Sequence, residues 1–269
     1  MAEVSVSTGR GWNPAQYDRF RNERQQPFFD LAALVQSQEG MRIVDLGCGP
    51  GDLTAWLHGE LGASETVGID HSDAMLASAA THEGNGVRFE KMDVLDAPIR
   101  YPGQFDLVFS NAALQWVLGH ETLFPLIAGL AKPGGQIAVQ MPANSNHVSH
   151  RTAHVVAAEE PFRTALGGWL REDPVRTDPE FYATLFHDVL GCTEQHVRMQ
   201  VYGHTLASTR AIVEWVKGSL LTAYISRLPE DLHAPFLARY ETLLLERAGE
   251  HAPFFYPFPR VLIWGRLPA

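Results

Sequence analysis

The run Asp45-Leu46-Gly47-Cys48-Gly49-Pro50-Gly51 holds the most chemically specific pattern in the 269 residues. Glycine tolerates positive φ and has no Cβ, so a ligand can lie directly on such a loop's bare backbone. The spacing is G-x-G-x-G. Asp52 stands where a dinucleotide fingerprint needs its third glycine, and the Gly-Lys-Ser/Thr of a phosphate loop is absent. Asp45, just before the first glycine, is a poor neighbour for a pyrophosphate and a good one for an amino group. Asp70, 25 residues on, ends the next β-rich run, where an acid accepts from a ribose diol. Asp93 ends the third such run, within reach of an adenine amino group. These residues describe a nucleoside that carries a cation in place of phosphates.

The elements that position them alternate. Short β-rich runs lie at Met41–Leu46, Thr66–Asp70, Val87–Met92, Phe105–Ser110 and Gln136–Gln140. Helical spacing lies between them at Leu53–Leu61, Ala74–Ala80 and His120–Leu130, with the glycines after Lys132-Pro133 as a C-cap signal. A further helix begins near Pro14 and carries Leu31, Leu34 and Val35 on one face. Strands interleaved with helices predict an α/β fold with a parallel sheet covered on both faces. Beyond residue 142 the pattern changes to irregular helical segments up to about 190. A strand follows at Thr193–Tyr202, then helices at Thr209–Arg227 and Glu230–Gly249, and a last strand at Val261–Leu267. The expected architecture is a seven-stranded, Rossmann-like sheet, with cap helices inserted at about 143–190 and 208–250. Residues 1–11 read as a flexible tail and 12–269 as one domain, in line with roughly 100–200 residues per domain for an ordinary chain with one insertion.

Composition narrows the function. Net charge is −10, from 31 acidic and 21 basic residues, which disfavours nucleic-acid binding. No apolar run is long enough to cross a membrane and no signal peptide is visible, so a cytoplasmic protein is expected, as a monomer or weak dimer. Cys48 and Cys192 read as free thiols. His147 and His150 are three apart but lack further ligands, so no metal site is expected. Only Lys91, Lys132 and Lys217 are lysines. The remaining cations are arginines, whose planar forks suit carboxylates.

Asp-Leu-Gly-Cys-Gly-Pro-Gly at 45–51, Gly-Ile-Asp at 68–70 and Met-Asp-Val at 92–94 resemble motifs I to III of the class I S-adenosylmethionine-dependent methyltransferases. The resemblance covers roughly residues 40–140 and agrees with the cationic nucleoside above. It implies S-adenosylmethionine as cofactor and S-adenosylhomocysteine as its product. The implied cofactor residues are Asp45, Gly47, Cys48, Gly49, Gly51, Asp70, His71, Met75, Asp93 and Val94. Asn111 and Ala112 join them, since they follow the fourth strand, where a backbone carbonyl can hold the amino group.

Within that family, further segments resemble the branch that forms a monomethyl ester of a tricarboxylate, the trans-aconitate methyltransferases. They are Trp12-Asn13-Pro14 with Tyr17, Phe20, Glu23-Arg24 and Pro27; Asn111-Ala112 with Leu114-Gln115-Trp116; Ala138–Pro142; Trp215-Val216; and Phe258-Pro259-Arg260. The resemblance implies a lid made by Trp12 and Tyr17, with Arg24 beside it. It implies substrate contacts by Gln115, Trp116, His147, Arg151, His204, Trp215 and Arg260. Trp116 and Trp215 also fit plain core positions. The chain has Gly218-Ser219-Leu220-Leu221-Thr222 where relatives carry Gly-Leu-Arg-Pro, so one carboxylate contact is lost or moved.

A carboxylate is already ionised at neutral pH, with a reference pKa near 4. No general base is therefore expected, and the main requirement is a cation to clamp the substrate. Arg260 is the first candidate, placed by Phe-Pro-Arg at the start of the last strand. Arg151, His147 and Arg24 are weaker ones. Other readings are methylation of a neutral O-, N- or C-nucleophile, which would need a base, a nicotinamide oxidoreductase, a non-catalytic cofactor-binding module, and a methylase acting on protein or nucleic acid.

Overall fold

The computed structural model describes residues 21–269, with side-chain surroundings from residue 25 onward. The tail 1–11 and the lid candidates Trp12 and Tyr17 lie outside the described residues, as does the side chain of Arg24. Seven strands form one sheet: β1 (Arg42–Leu46), β2 (Glu65–Asp70), β3 (Val87–Lys91), β4 (Phe105–Asn111), β5 (Ala131–Pro142), β6 (Glu194–Leu206) and β7 (Phe254–Arg266). Their order is β3-β2-β1-β4-β5-β7-β6. The strands from β3 to β5 pair in parallel, and β7 runs antiparallel to both β5 and β6. The sheet is apolar on both faces, as a parallel sheet covered by helices requires. Val44, Val67, Val108, Ile137 and Ile263 belong to one core, and Ile43, Leu107, Phe109, Ala138 and Trp264 to the other.

Helix α1 (Arg21–Ala32) seats Phe28 and Leu31 in the second core, together with Leu57 of α2 (Asp52–Glu60). Then come α3 (Asp73–Ala79), α4 (Ala97–Arg100) and α5 (His120–Ala128). After β5 lie α6 (Val148–Ala157), α7 (Phe162–Ala165) and α8 (Pro179–Thr184). Between β6 and β7 lie α9 (Ala211–Val216), α10 (Thr222–Ile225) and α11 (Glu230–Ala248). The inserted helices share a third core that includes Val156, Phe162, Leu221, Tyr224, Phe236 and Tyr240. Tyr256 and Phe258 of β7 extend into it.

The structure moves several sequence-derived boundaries. Helix α1 ends at Ala32, and Leu34 and Val35 follow it in a turn rather than on its face. The Lys132-Pro133-Gly134-Gly135 stretch lies within β5, whose pairing with β4 shifts register between Phe105 and Leu107, so it is an irregular strand entry and not a helix cap. The helix expected over 209–227 is interrupted by a π-helical turn at Lys217–Leu221. The last strand begins at Phe254, well before Val261, so Arg260 lies inside β7 rather than at its start. Pro257 and Pro259 concealed this beginning. That part of β7 lies beyond the β5 pairing and has only β6 beside it, so a missing N–H is tolerated as on a sheet edge.

The irregular segment between α7 and α8 is fixed at both ends. Trp169 packs its ring against Tyr224, with centroids 5.5 Å apart, and Val175 is buried in the first sheet core. The Tyr182 hydroxyl accepts from the Arg176 backbone N–H at 3.1 Å and shares a hydrogen bond with Nδ1 of His120 at 2.8 Å. Nε2 of His120 lies 3.2 Å from the Leu114 carbonyl oxygen. One buried phenol thus ties this segment to the loop after β4. Tyr182→Phe strands buried polar groups on both sides and should lower unfolding stability by about 1–3 kcal/mol, read as a lower denaturation midpoint at unchanged slope in urea.

Candidate active site

The glycine loop and the first two acids form one unit at the carboxyl ends of β1 and β2. The Gly47 and Cys48 backbone N–H groups both donate to the Ile69 carbonyl, at 2.7 and 3.0 Å. The Asp70 carboxylate accepts from Gly49 N at 3.0 Å and from Ser72 N at 2.9 Å. A Cβ on Gly47 would lie 2.2 Å from Cβ of Ala113, at a φ of +77° that only glycine adopts without strain. The loop therefore rests directly on the segment after β4. At Gly49 a Cβ would meet nothing within 4 Å, so the loop faces open space there. That combination, tight packing behind and room in front, fits a ligand laid along the backbone.

Asp45 is 3% exposed and accepts from Thr54 Oγ1 at 2.6 Å. Burial raises its pKa to about 7, opposed by the Thr54 hydrogen bond and reinforced by the charge of Asp70. Among the described residues no cation meets this buried acid, and a ligand ammonium would supply one. Burial beside the same two acids pushes the Cys48 thiol upward, so it acts as loop packing and not as a nucleophile. Asp93 accepts from Leu95 N at 2.9 Å and Val94 packs at the edge of the first core. The Met75 backbone N–H is capped by Ser72 Oγ at the start of α3, and the largely exposed His71 stands 3.7 Å from Asp70. The donor set suits S-adenosylmethionine: buried and half-buried acids for amino and hydroxyl donors, and no cation in contact with the loop among the described hydrogen bonds and ion pairs.

At the ends of β4 and β5 the chain is polar and tightly turned. Ala112 has a φ of +53°, its N–H donates to the Gln140 carbonyl at 2.9 Å, and its carbonyl accepts from Gln115 Nε2 at 2.6 Å. A non-glycine residue in this region costs of order 1–3 kcal/mol and marks a constrained site. The buried Asn111 Oδ1, Gln115 Oε1 and Gln140 Nε2 have no hydrogen-bond partner among the described residues. Such atoms are costly unless a ligand or water meets them.

Antiparallel register brings the next layer alongside. Pro142 pairs with Arg260 and Gln140 with Leu262. Arg260 is 5% exposed, donates from Nη1 to Gln140 Oε1 at 3.1 Å, and lies over the Phe258 ring with Cζ 4.8 Å from its centroid. Aromatic rings continue from there. Phe258 meets Tyr256, Trp215 and His204 at 5.6, 5.9 and 6.1 Å. His204 and Trp215 lie 4.7 Å apart, and His147 lies 4.7 Å from Tyr256. Four residues expected at the substrate, His147, His204, Trp215 and Arg260, thus form one cluster. His147 Nδ1 bonds Ser149 Oγ, which bonds His150 Nδ1, at 2.9 and 3.2 Å. Burial lowers the pKa of both histidines, that of His150 to about 3, so they are neutral at physiological pH.

Other expected residues stand apart. Arg151 is exposed on α6; its backbone N–H donates to the His147 carbonyl at 3.1 Å, but its side chain has no contact with this cluster among the described interactions. Trp116 is half-buried and lies beneath Arg171, whose Cζ is 5.1 Å from its ring. At Gly218–Thr222 no cation takes the place of the missing arginine. Leu220 and Leu221 fill the third core, and Thr222 Oγ1 donates to the Lys217 carbonyl. Sequence reading missed Thr54, Gln140, Tyr256, Phe258 and Arg171. Tyr256, Phe258 and Arg260 recur every second residue, the period of one strand face, and that was the available signal for three of the cluster's members. Nothing local marked Arg171.

The family model of a methyltransferase domain matches residues 43–135. The chain is 40% identical to the trans-aconitate 2-methyltransferase of Deinococcus radiodurans over 258 residues, covering 93% of this chain and 96% of that one. It is 41% identical to the trans-aconitate 2-methyltransferase of Variovorax paradoxus, covering 86% of this chain and 87% of that one. Among solved structures it is similar to the Haemonchus contortus phosphoethanolamine N-methyltransferase 2 bound to S-adenosylhomocysteine. The TM-score is 0.54 at 18% identity, over 91% of this chain and 53% of that one, a likeness of fold. Glycine loop, acid register, sheet order and these relatives agree, and the chain belongs to the trans-aconitate 2-methyltransferase family of class I S-adenosylmethionine-dependent methyltransferases.

Proposed function

We propose that the protein esterifies one carboxylate of a small polycarboxylic acid, with trans-aconitate the leading candidate and S-adenosylmethionine the methyl donor. The observation that carries this reading is Arg260, a buried arginine fixed by Gln140 and Phe258 beside the strand ends that hold the glycine loop. S-adenosylmethionine supplies a methyl group made electrophilic by its sulfonium sulfur. Asp45 and the chain around Asn111 and Ala112 hold the amino end, Gly47, Gly49 and Gly51 lie along the ligand, and Asp70 and Asp93 accept from ribose and adenine.

On the substrate side, Arg260 offers two parallel N–H groups to a carboxylate and fixes its direction. The ring cluster of Trp215, Tyr256, Phe258 and His204 excludes water around it, which strengthens the charge pairing. The residues have no proton to move, because a carboxylate nucleophile is ionised well below neutral pH. The neutral His147 and His150 line the region without adding charge.

The activity is tested by a mass-spectrometric screen of organic acids for gain of one methyl group; a polycarboxylate should be converted to its monomethyl ester and neutral metabolites should be left unchanged. Arg260→Lys keeps the charge but not the fork and should lower kcat/KM by about 2–4 kcal/mol with cofactor affinity unchanged. At saturating substrates kcat should be nearly flat from about pH 6 to 8.5. A tenfold rise per pH unit would instead point to a nucleophile that must lose a proton.

Asp45 gives a separate pH dependence. Its folded pKa, raised to about 7, means the unliganded fold keeps a proton that the unfolded chain has lost. Ionising it therefore removes stability as pH climbs from about 4 to 7. A ligand ammonium binds the ionised form, so S-adenosylhomocysteine affinity should rise with pH and level off above 7. It should be about tenfold weaker at pH 6 than on the plateau, with one proton released on binding. Calorimetry in buffers of different ionisation enthalpy reads that proton, and Asp45→Asn should abolish the pH dependence and weaken binding.

A further inference from the structure

A polycarboxylate presents more negative charge than Arg260 alone can meet, and a second half-buried cation lies over the loop that follows β4. Arg171 belongs to the irregular segment between α7 and α8. Its guanidinium lies over the Trp116 ring at 5.1 Å. Trp116 follows Gln115, which holds the Ala112 carbonyl at the end of β4. No ion pair engages Arg171 among the described residues, whereas Arg163 and Arg176 on either side of it in sequence are paired with Glu160 and Asp178. Asp173, two residues on, attracts it electrostatically but has one carboxylate oxygen engaged by the Val175 N–H.

The surroundings suit an anion. The charge of Arg171 reaches the buried His150 and the half-buried His154, and it helps keep both neutral, after the larger effect of burial. His150 connects through Ser149 to His147, whose ring meets Tyr256, one strand position from the Phe258 and Arg260 pair. Contacts therefore run from His150 to Arg260, and the charge of Arg171 is felt at His150, the first member of that chain. The segment that carries Arg171 has no regular structure, yet it is pinned on both sides. The Arg171 N–H donates to the Tyr224 hydroxyl at 3.4 Å, Trp169 packs on the same tyrosine, and Val175 is anchored in the sheet core. Stacking on Trp116 limits the guanidinium further, so little freedom remains to be lost on binding.

We propose that Arg171 is the second carboxylate-binding cation of this site, and that it selects substrates bearing an anionic group in addition to those met by Arg260. This rests on the polycarboxylate reading above and adds to it the residue that reads substrate charge. Residues Gly218–Thr222 carry no arginine, and Arg171 is tied to Tyr224 of the neighbouring α10 through its backbone N–H.

The test compares wild type and Arg171→Gln on trans-aconitate and on mesaconate, itaconate and glutaconate, each of which lacks a different one of the three carboxylates. Acids that are not turned over are measured as competitive inhibitors. Against trans-aconitate the variant should lose about ten- to hundredfold in kcat/KM, mainly through KM. For one of the three analogues the loss should shrink below about twofold, because the carboxylate that Arg171 meets is missing. Arg171→Lys should recover part of the loss. S-adenosylhomocysteine affinity and the thermal midpoint should match wild type. An unchanged KM for trans-aconitate, or an equal loss on all four acids, overturns the proposal for Arg171 and leaves the function reading standing. A wild-type enzyme that neither methylates nor binds any of the four overturns both.

Discussion

The register of β7 against β5 is the constraint on which the site depends. Pro142 opposite Arg260 and Gln140 opposite Leu262 put Arg260, Phe258 and Tyr256 on one face of the strand. Val261 and Ile263 then point into the opposite core. Strand periodicity is two, so a slip of one residue would drive Arg260 into the apolar core that Val261 and Ile263 fill. Burying an unpaired guanidinium there costs several kcal/mol. The apolar pattern of Val261, Leu262, Ile263 and Trp264 holds the register, and the placement of the cation follows from it.

The two ends of the reaction are separated by charge. Asp45, Asp70 and Asp93 gather at the ends of β1, β2 and β3, where a cationic nucleoside fits. Arg260 and Arg171 lie beyond β4, one on β7 and one on the segment before α8. The strained turn at Ala112 joins the halves, since Ala113 supports Gly47 on one side and the Ala112 N–H binds Gln140 on the other. A shift at that turn would move both the glycine loop and the end of β5, and its backbone is held by a buried glutamine side chain on a carbonyl and a strand partner on an amide.

The cap contributes rigidity more than reactive groups. Tyr224 stacks on Phe236, receives Trp169 edge-on and accepts from Arg171 N. Tyr182 performs the matching task toward the sheet. Two phenols therefore fix a segment that local sequence leaves irregular. In such an arrangement aromatic burial supplies the energy, and the single hydroxyl on each ring supplies direction.

The cofactor half was legible in the sequence because its residues are local. Glycines that need positive φ, and acids at strand ends spaced by one βαβ unit, are set by backbone geometry within about 50 residues. The apolar runs likewise determined seven strands and their two covered faces. The substrate half was read only through family likeness, and incompletely. Arg260 was singled out, but Pro257 and Pro259 hid the strand that carries it, Tyr256 was not marked, and Phe258 was noted only as part of Phe258-Pro259-Arg260. Arg151 was a weaker candidate, and it lies exposed on α6. Arg171 has no local signature at all. Its position over Trp116 is decided by contacts with residues more than 50 positions away in either direction, Trp116 before it and Tyr224 after it. The sequence by itself determined which backbone can cradle a cationic nucleoside, because that is a matter of local φ, spacing and period. Only the tertiary structure decided which arginines are buried and against which side chains, because the burial of a charge depends on packing between elements that are distant in the chain.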